Sequence, residues 1–130
     1  MVINYPKFFI CKQCGNLTKL VIDKGGSLVC CGEKMTEIIP NTVDASIEKH
    51  KPIITVLNGN VNIEVGSILH PMQDEHHIAF ICLKTENNSY CRCLKTGEEP
   101  KATFNISNDK LIAVYAYCNL HGLWKTDITI

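Results

Sequence analysis

The chain has 130 residues, 45% hydrophobic and 20% charged, a balance that excludes disorder and fits one ordinary domain or a compact domain with a very small companion. Lysine plus arginine equals aspartate plus glutamate at 13 each, so net charge recommends neither nucleic acid nor an anionic membrane as partner. No stretch approaches membrane-spanning length and the N-terminus lacks a signal-peptide pattern, so the cytoplasm is the expected compartment; thiols stay reduced there, and the eight cysteines read as metal ligands or buried thiols before disulfides.

Short apolar pieces at 8–10, 20–22 and 28–29 predict strands among the turn residues Cys14-Gly-Asn and Asp23-Lys-Gly-Gly-Ser. This first unit, residues 1–38, is too short to bury a useful core alone, because units below about 40 residues need a metal, disulfides or a partner chain. The stretch 37–44, punctuated by Pro40, is expected to link it to a second unit, residues 39–130. There, 52–56 and 61–65 alternate around Asn58-Gly59, a hairpin signal. Apolar 77–83 suits a buried strand, and Glu86-Asn-Asn-Ser turns the chain into a strand at 90–94 that ends at Thr96-Gly97. Residues 102–106 alternate again, Asn108-Asp109 turn, 111–118 is long and apolar, and 123–130 closes the sheet. No segment of helical length shows three-to-four apolar spacing. The expected fold is all-β: a small metal-stapled unit followed by an antiparallel β-sandwich of about seven strands.

Cys11-x-x-Cys14 followed by adjacent Cys30 and Cys31 makes a four-thiolate set, which suits zinc or a single iron. Neighbouring side chains of an extended strand point to opposite faces, so Cys30 and Cys31 reach one metal only through a local distortion. A structural zinc staple and, less readily in a reducing compartment, a disulfide remain alternatives.

In the run Tyr-Cys-Asn-Leu-His-Gly-Leu-Trp (117–124), Cys118 and His121 stand three apart, where thiolate and imidazole can hold one metal. His50, His70 and His76 lie upstream. Four histidines and a cysteine exceed the four ligands that close a structural zinc site. Converging in space, they suggest iron with one position open for chemistry. A lone histidine is usually structural or exposed, and His77 is read as strand surface or pocket rim. Trp124 is read as core or pocket wall. Cys91 and Cys93 share a strand face, where a redox pair or third metal is conceivable, but Cys82, Cys91 and Cys93 are expected to be small buried thiols.

The segments Phe9-Ile-Cys-Lys-Gln-Cys-Gly-Asn and Leu28-Val-Cys-Cys-Gly-Glu-Lys-Met resemble the desulforedoxin module. That resemblance implies one iron on Cys11, Cys14, Cys30 and Cys31, suited to electron transfer or structure because no position is free. Asn41-Thr-Val-Asp-Ala, Glu48-Lys-His-Lys-Pro, Val65-Gly-Ser-Ile-Leu-His-Pro-Met, His76 and Tyr117-Cys-Asn-Leu-His-Gly-Leu-Trp-Lys resemble, in order, a superoxide reductase domain. Together they resemble desulfoferrodoxin, the two-iron superoxide reductase, over nearly the whole chain. The resemblance implies an immunoglobulin-like sandwich and a second iron held by His50, His70, His76 and His121 with Cys118 as axial thiolate. It also implies catalytic roles for Glu48 and Lys49, which in sequence alone read as solvated loop charges. Lys49 would steer superoxide and support a proton-donating water, and Glu48 would take the sixth position once the product leaves. The implied reaction reduces superoxide to hydrogen peroxide without releasing dioxygen, with a rubredoxin-like donor and a homodimeric assembly.

Overall fold

The computed structural model describes residues 4–128. Residues 1–3 of the predicted first unit, and Thr129 and Ile130 at the end of the predicted last strand, lie outside the described residues. The chain divides into two compact units between Ile39 and Pro40.

In the first unit β1 (Lys7–Ile10) lies between β2 (Leu17–Leu20) and β5 (Thr36–Ile38), antiparallel to both. A hairpin of β3 (Val29–Cys30) and β4 (Glu33–Lys34) completes it. Phe8, Cys11 and Met35 form its small buried interior. Two expectations need correction. The strand predicted at 20–22 runs earlier, because Leu17–Leu20 are the residues that find partners on β1, and Val21 and Ile22 stay 83% and 68% exposed. Residues 37 and 38, read as linker, pair with β1 instead.

The second unit opens with a single helical turn, α1 (Ile47–His50), shorter than apolar periodicity can reveal. Two sheets follow. One orders β10 (Lys101–Asn105), β7 (Asn60–Val65) and β6 (Pro52–Leu57). The other orders β12 (Gly122–Asp127), β11 (Leu111–Cys118), β8 (Ile78–Thr85) and β9 (Ser89–Cys93). Every pairing is antiparallel. The Asn58-Gly59 turn takes left-handed φ at both residues, +50° and +79°, the conformation that matches the twist of a two-residue hairpin.

The core is sequence alternation made physical. On β7, Val61, Ile63 and Val65 point inward and are fully buried while Asn60, Asn62 and Glu64 point out. They meet Ile81 and Leu83 of β8 and Val114, Ala116 and Cys118 of β11. Burying each such aliphatic side chain contributes roughly 1.5–3 kcal/mol. Cys118 therefore belongs to the core face at the very end of β11, where the pairing with β8 slips between Tyr117 and Cys118.

Candidate metal centres

At the first centre, Cys11 follows β1 directly. The turn after it is closed by Gly15 N–H donating to Cys11 O at 2.8 Å and Cys11 N–H donating to Asn16 O at 2.8 Å. The distortion demanded by the adjacent pair is at Cys31, whose φ is +53°, followed by Gly32 at +75°. These two residues form the tight turn between β3 and β4, and swing the Cys31 sulfur to the side already occupied by Cys30. The Sγ atoms of Cys14 and Cys30 lie 3.7 Å apart and those of Cys30 and Cys31 3.9 Å apart. All four sulfurs fall within 4.8 Å of one another. A tetrahedron with metal–sulfur bonds of about 2.3 Å has edges of about 3.8 Å, so the set fits one ion. Backbone N–H groups of Cys14 and Gln13 draw the Cys11 thiol down to about 7. Hydrogen bonding with Cys14, then with Cys30 and Cys11, pushes Cys31 up to about 12. Four thiolates cannot crowd together unaided, whereas a bound cation ionises them all.

At the second centre, four imidazoles stand around a quadrilateral in the order His50, His70, His76, His121. Successive ring centroids are 4.7, 4.5, 5.1 and 4.9 Å apart, with interplanar angles of 69–87°. The diagonal from His50 to His76 is 6.3 Å. His50 Nε2 lies 3.1 Å from His70 Nε2 and 3.1 Å from His121 Nδ1. Neighbouring donors on an ion with metal–nitrogen bonds of about 2.1 Å and right-angle geometry sit about 3.0 Å apart. His50 Nδ1–H donates to Ser46 O and His70 Nδ1–H donates to Pro71 O, each at 2.7 Å. Those bonds fix the tautomers and aim the Nε2 lone pairs inward. His76 Nε2 is buried with no hydrogen-bond partner in the protein, an orphan that an ion would satisfy. The fifth donor, Cys118 Sγ, is 3.8 Å from His121 Nδ1 and accepts the His121 backbone N–H at 3.4 Å. The donor atoms of His50, His76, Cys118 and His121 all lie within 4.8 Å of one another, and His70 joins them through His50.

Burial sets the charge state. It holds His50, His70 and His76 below the usual imidazole range, His70 down to about 4, with neighbouring imidazoles adding to the effect and the Lys49 ammonium contributing at His50 and His76. The rings are therefore neutral and ready to ligate at neutral pH. Burial pushes the Cys118 thiol up, so a cation is needed to ionise it. A divalent ion with one thiolate and four neutral imidazoles carries a net charge of about +1, which favours a small anion. Five donors would leave a six-coordinate ion one position to spare.

Glu48 and Lys49 are exposed on α1, immediately before His50. Their turn is anchored from behind: Ile68 N–H and Ser67 Oγ–H both donate to Glu48 O, at 3.0 and 3.2 Å. Gly66 packs so closely there that a Cβ would stand 2.6 Å from Glu48 O and 3.0 Å from Lys51 O. Trp124 is both core and wall: it is buried, lines a groove with Asn41, Val43 and Lys51, and stacks on His50 at 5.0 Å and 24°. Its Nε1–H donates to His121 O at 3.1 Å, so one side chain stacks on the His50 ring and pins the backbone of His121. His77 is half-buried, with Nδ1 3.0 Å from Gln73 O. Sequence reading missed the anchoring role of Gly66, since a glycine without a turn signal announces nothing. It also missed the pairing of Cys82, which is buried, with Cys91, which is exposed, in a disulfide between β8 and β9. Free buried thiols were expected at both positions and at Cys93. Cys93 keeps a free thiol but is exposed.

Fold and donor sets together define a two-centre β-sheet metalloprotein, with one four-thiolate site and one site of four histidines and a cysteine. Residues 5–38 match the family model for the desulfoferrodoxin N-terminal domain, and residues 42–127 match the desulfoferrodoxin model. The chain belongs to the desulfoferrodoxin family. The desulfoferrodoxin of Nitratidesulfovibrio vulgaris is 41% identical over 124 residues, covering 95% of this chain and 98% of that protein. The superoxide reductase of Thermococcus kodakarensis is 35% identical over 101 residues, covering 64% of this chain and 88% of that protein. Among solved structures, the superoxide reductase from Treponema pallidum superposes with a TM-score of 0.81 at 34% identity, covering 95% of this chain and all of that one.

Proposed function

We infer that this protein is a superoxide reductase, converting superoxide to hydrogen peroxide with one external electron and two protons and releasing no dioxygen. The observation that carries it is the ring of four imidazoles with a buried cysteine at its edge, in a chain whose relatives and structural neighbours bear that name. His50, His70, His76, His121 and Cys118 would hold an iron, which would supply the electron and a coordination position for the anion. His50 and His70, locked by Ser46 O and Pro71 O, would present their Nε2 atoms to the ion. Cys118 would hold the iron as a thiolate, the ligand that would supply it with electron density. Lys49, whose ammonium already acts on His50 and His76, draws superoxide in and orients a water as proton source. Glu48 offers a carboxylate on the same exposed turn, which would be available to the iron once product has left.

Cys11, Cys14, Cys30 and Cys31 would hold the second iron of the pair, in the small first unit, and the larger unit that follows is the catalytic one. The four-thiolate site has no position for substrate, so it relays electrons or staples its unit. The donor is a rubredoxin-like protein, the working form a homodimer and the location the cytoplasm; exposed Val21, Ile22 and Val29 give the small unit apolar surface for pairing. No helix of the described residues is long and apolar enough to cross a membrane.

The test follows electrons. Iron-loaded protein, fully reduced under anaerobic conditions, is mixed with superoxide while the absorption of the sulfur-ligated iron is monitored. Oxidation of one His/Cys-bound iron per superoxide consumed supports the reading. Superoxide that decays at its spontaneous rate while that iron stays reduced overturns it.

A further inference from the structure

Three cysteines outside both metal centres occupy one patch. Ile81 and Leu83 of β8 face the core, so Cys82 between them faces the opposite side of the sheet. On β9, Tyr90 packs on the core, which turns Cys91 and Cys93 to the same outer side as Cys82. Cys82 and Cys91 are directly opposite in the antiparallel register, with Cα atoms 4.1 Å apart. That is the closer of the two kinds of cross-strand pair, the one that lacks mutual backbone hydrogen bonds. Among the described residues β9 is the edge strand of its sheet. Disulfides in reducing compartments are usually transient, catalytic or redox-sensing rather than permanent staples. The strands also lead to the second centre: β8 begins two residues after His76, and beyond β9 Thr96 Oγ1–H donates to Asp74 Oδ1 at 2.8 Å and Gly97 N–H to Met72 O at 3.0 Å.

We propose that Cys82 and Cys91 form a redox site separate from both metal centres, a two-electron dithiol–disulfide couple oxidised by hydrogen peroxide and reset by a dithiol reductant. That peroxide is the product of the iron centre, and that the compartment is reducing, are the parts resting on the functional reading above. Exposed Cys91 reacts first: its thiolate attacks one peroxide oxygen, the O–O bond breaks, and hydroxide leaves to become water, giving a sulfenic acid. Buried Cys82 then attacks the Cys91 sulfur, forms the S–S bond and expels the second oxygen as water. Two thiols lose two electrons and one peroxide gains them, yielding two waters. A dithiol reverses the state by exchange at the exposed Cys91 sulfur, taking up the cross-link as its own disulfide. Cys93 lies two residues along the same face, outside the direct cross-strand pair, and is not a member of the couple.

The test uses the full-length iron-loaded protein, reduced anaerobically with dithiothreitol, freed of reductant and given one equivalent of hydrogen peroxide. Alkylation under denaturing conditions and peptide mapping then read each cysteine. Before peroxide, Cys82 and Cys91 both carry label; after it, they appear as one linked peptide without label, and dithiothreitol restores both labels. Zinc-loaded protein and Cys93→Ser protein give the same result. In Cys82→Ser protein, dimedone traps a sulfenic acid on Cys91. The proposal is overturned if both cysteines keep their label after peroxide, or if the link survives dithiothreitol. It is equally overturned if the link requires iron or Cys93. Because peroxide is added directly, a protein that forms the link yet fails to reduce superoxide sinks only the functional reading.

Discussion

Gly66→Ala tests how the catalytic turn is positioned. The added methyl would stand 2.6 Å from Glu48 O, 3.0 Å from Lys51 O and 3.1 Å from Lys49 C, where ordinary contact begins at 3.4 Å. All three atoms are backbone, so no side chain can swing aside, and the turn must retreat by about 0.8 Å. Overpacking of this kind costs about 1–3 kcal/mol. The same turn carries Glu48 and Lys49 and ends in His50, so the displacement passes directly to the metal centre. A misplacement approaching 1 Å reduces rates by up to about 100-fold. The assay measures the second-order rate with superoxide, together with iron content and the urea midpoint, on Gly66→Ala and on Gly26→Ala. Gly26 has open space around its Cβ direction and no left-handed φ, so it should change nothing. The expected result is a rate loss of about 10- to 100-fold and a lower midpoint for Gly66→Ala alone. Unchanged midpoint, iron content and rate in that variant would refute the close packing of Gly66 as the device that sets the turn.

Three further outcomes are expected. Lys49→Ala should slow the encounter with superoxide by about 2- to 10-fold and flatten its dependence on salt; an unchanged rate removes Lys49 from the mechanism. Cys14→Ser should cost the N-terminal iron, read by metal analysis, yet leave superoxide reduction largely intact; loss of activity with the His/Cys iron still loaded would make the N-terminal iron obligatory. For metal-free protein, stability should be full above pH 6.5 and fall as pH drops toward 4. The folded state holds His70 neutral down to about 4, and His50 and His76 below the ordinary value of 6.5, so the unfolded chain binds the extra protons in that window. Urea midpoints that stay flat across it would contradict the buried, neutral state of the rings.

Much of the candidate site was readable because its chemistry is local in sequence. Cys11-x-x-Cys14, adjacent Cys30 and Cys31, and Cys118 three before His121 carry their ligand logic in their spacing. Strands of the second unit were readable where one face meets a core: β7 alternates strictly, and Asn58-Gly59 announces its own turn. What escaped depends on register and close approach. Val21 and Ile22 are apolar yet exposed, because strand identity at β2 follows pairing with β1. That Cys82 faces Cys91 is decided by the slide of β9 along β8, which no composition reports. The bracing of His50 and His121 by Trp124 and the seat of Gly66 against α1 join residues far apart in the chain. α1, one turn long, is too short to impose a period.

Product yield tests the central claim most directly. Superoxide is supplied to anaerobically purified, iron-loaded protein together with a reduced electron donor, and peroxide and dioxygen are counted per superoxide consumed. A reductase yields one peroxide for each superoxide and no dioxygen attributable to the protein. Dioxygen released alongside half as much peroxide would make the protein a dismutase, and no acceleration with iron confirmed at both centres would leave it an electron carrier; either result contradicts the account.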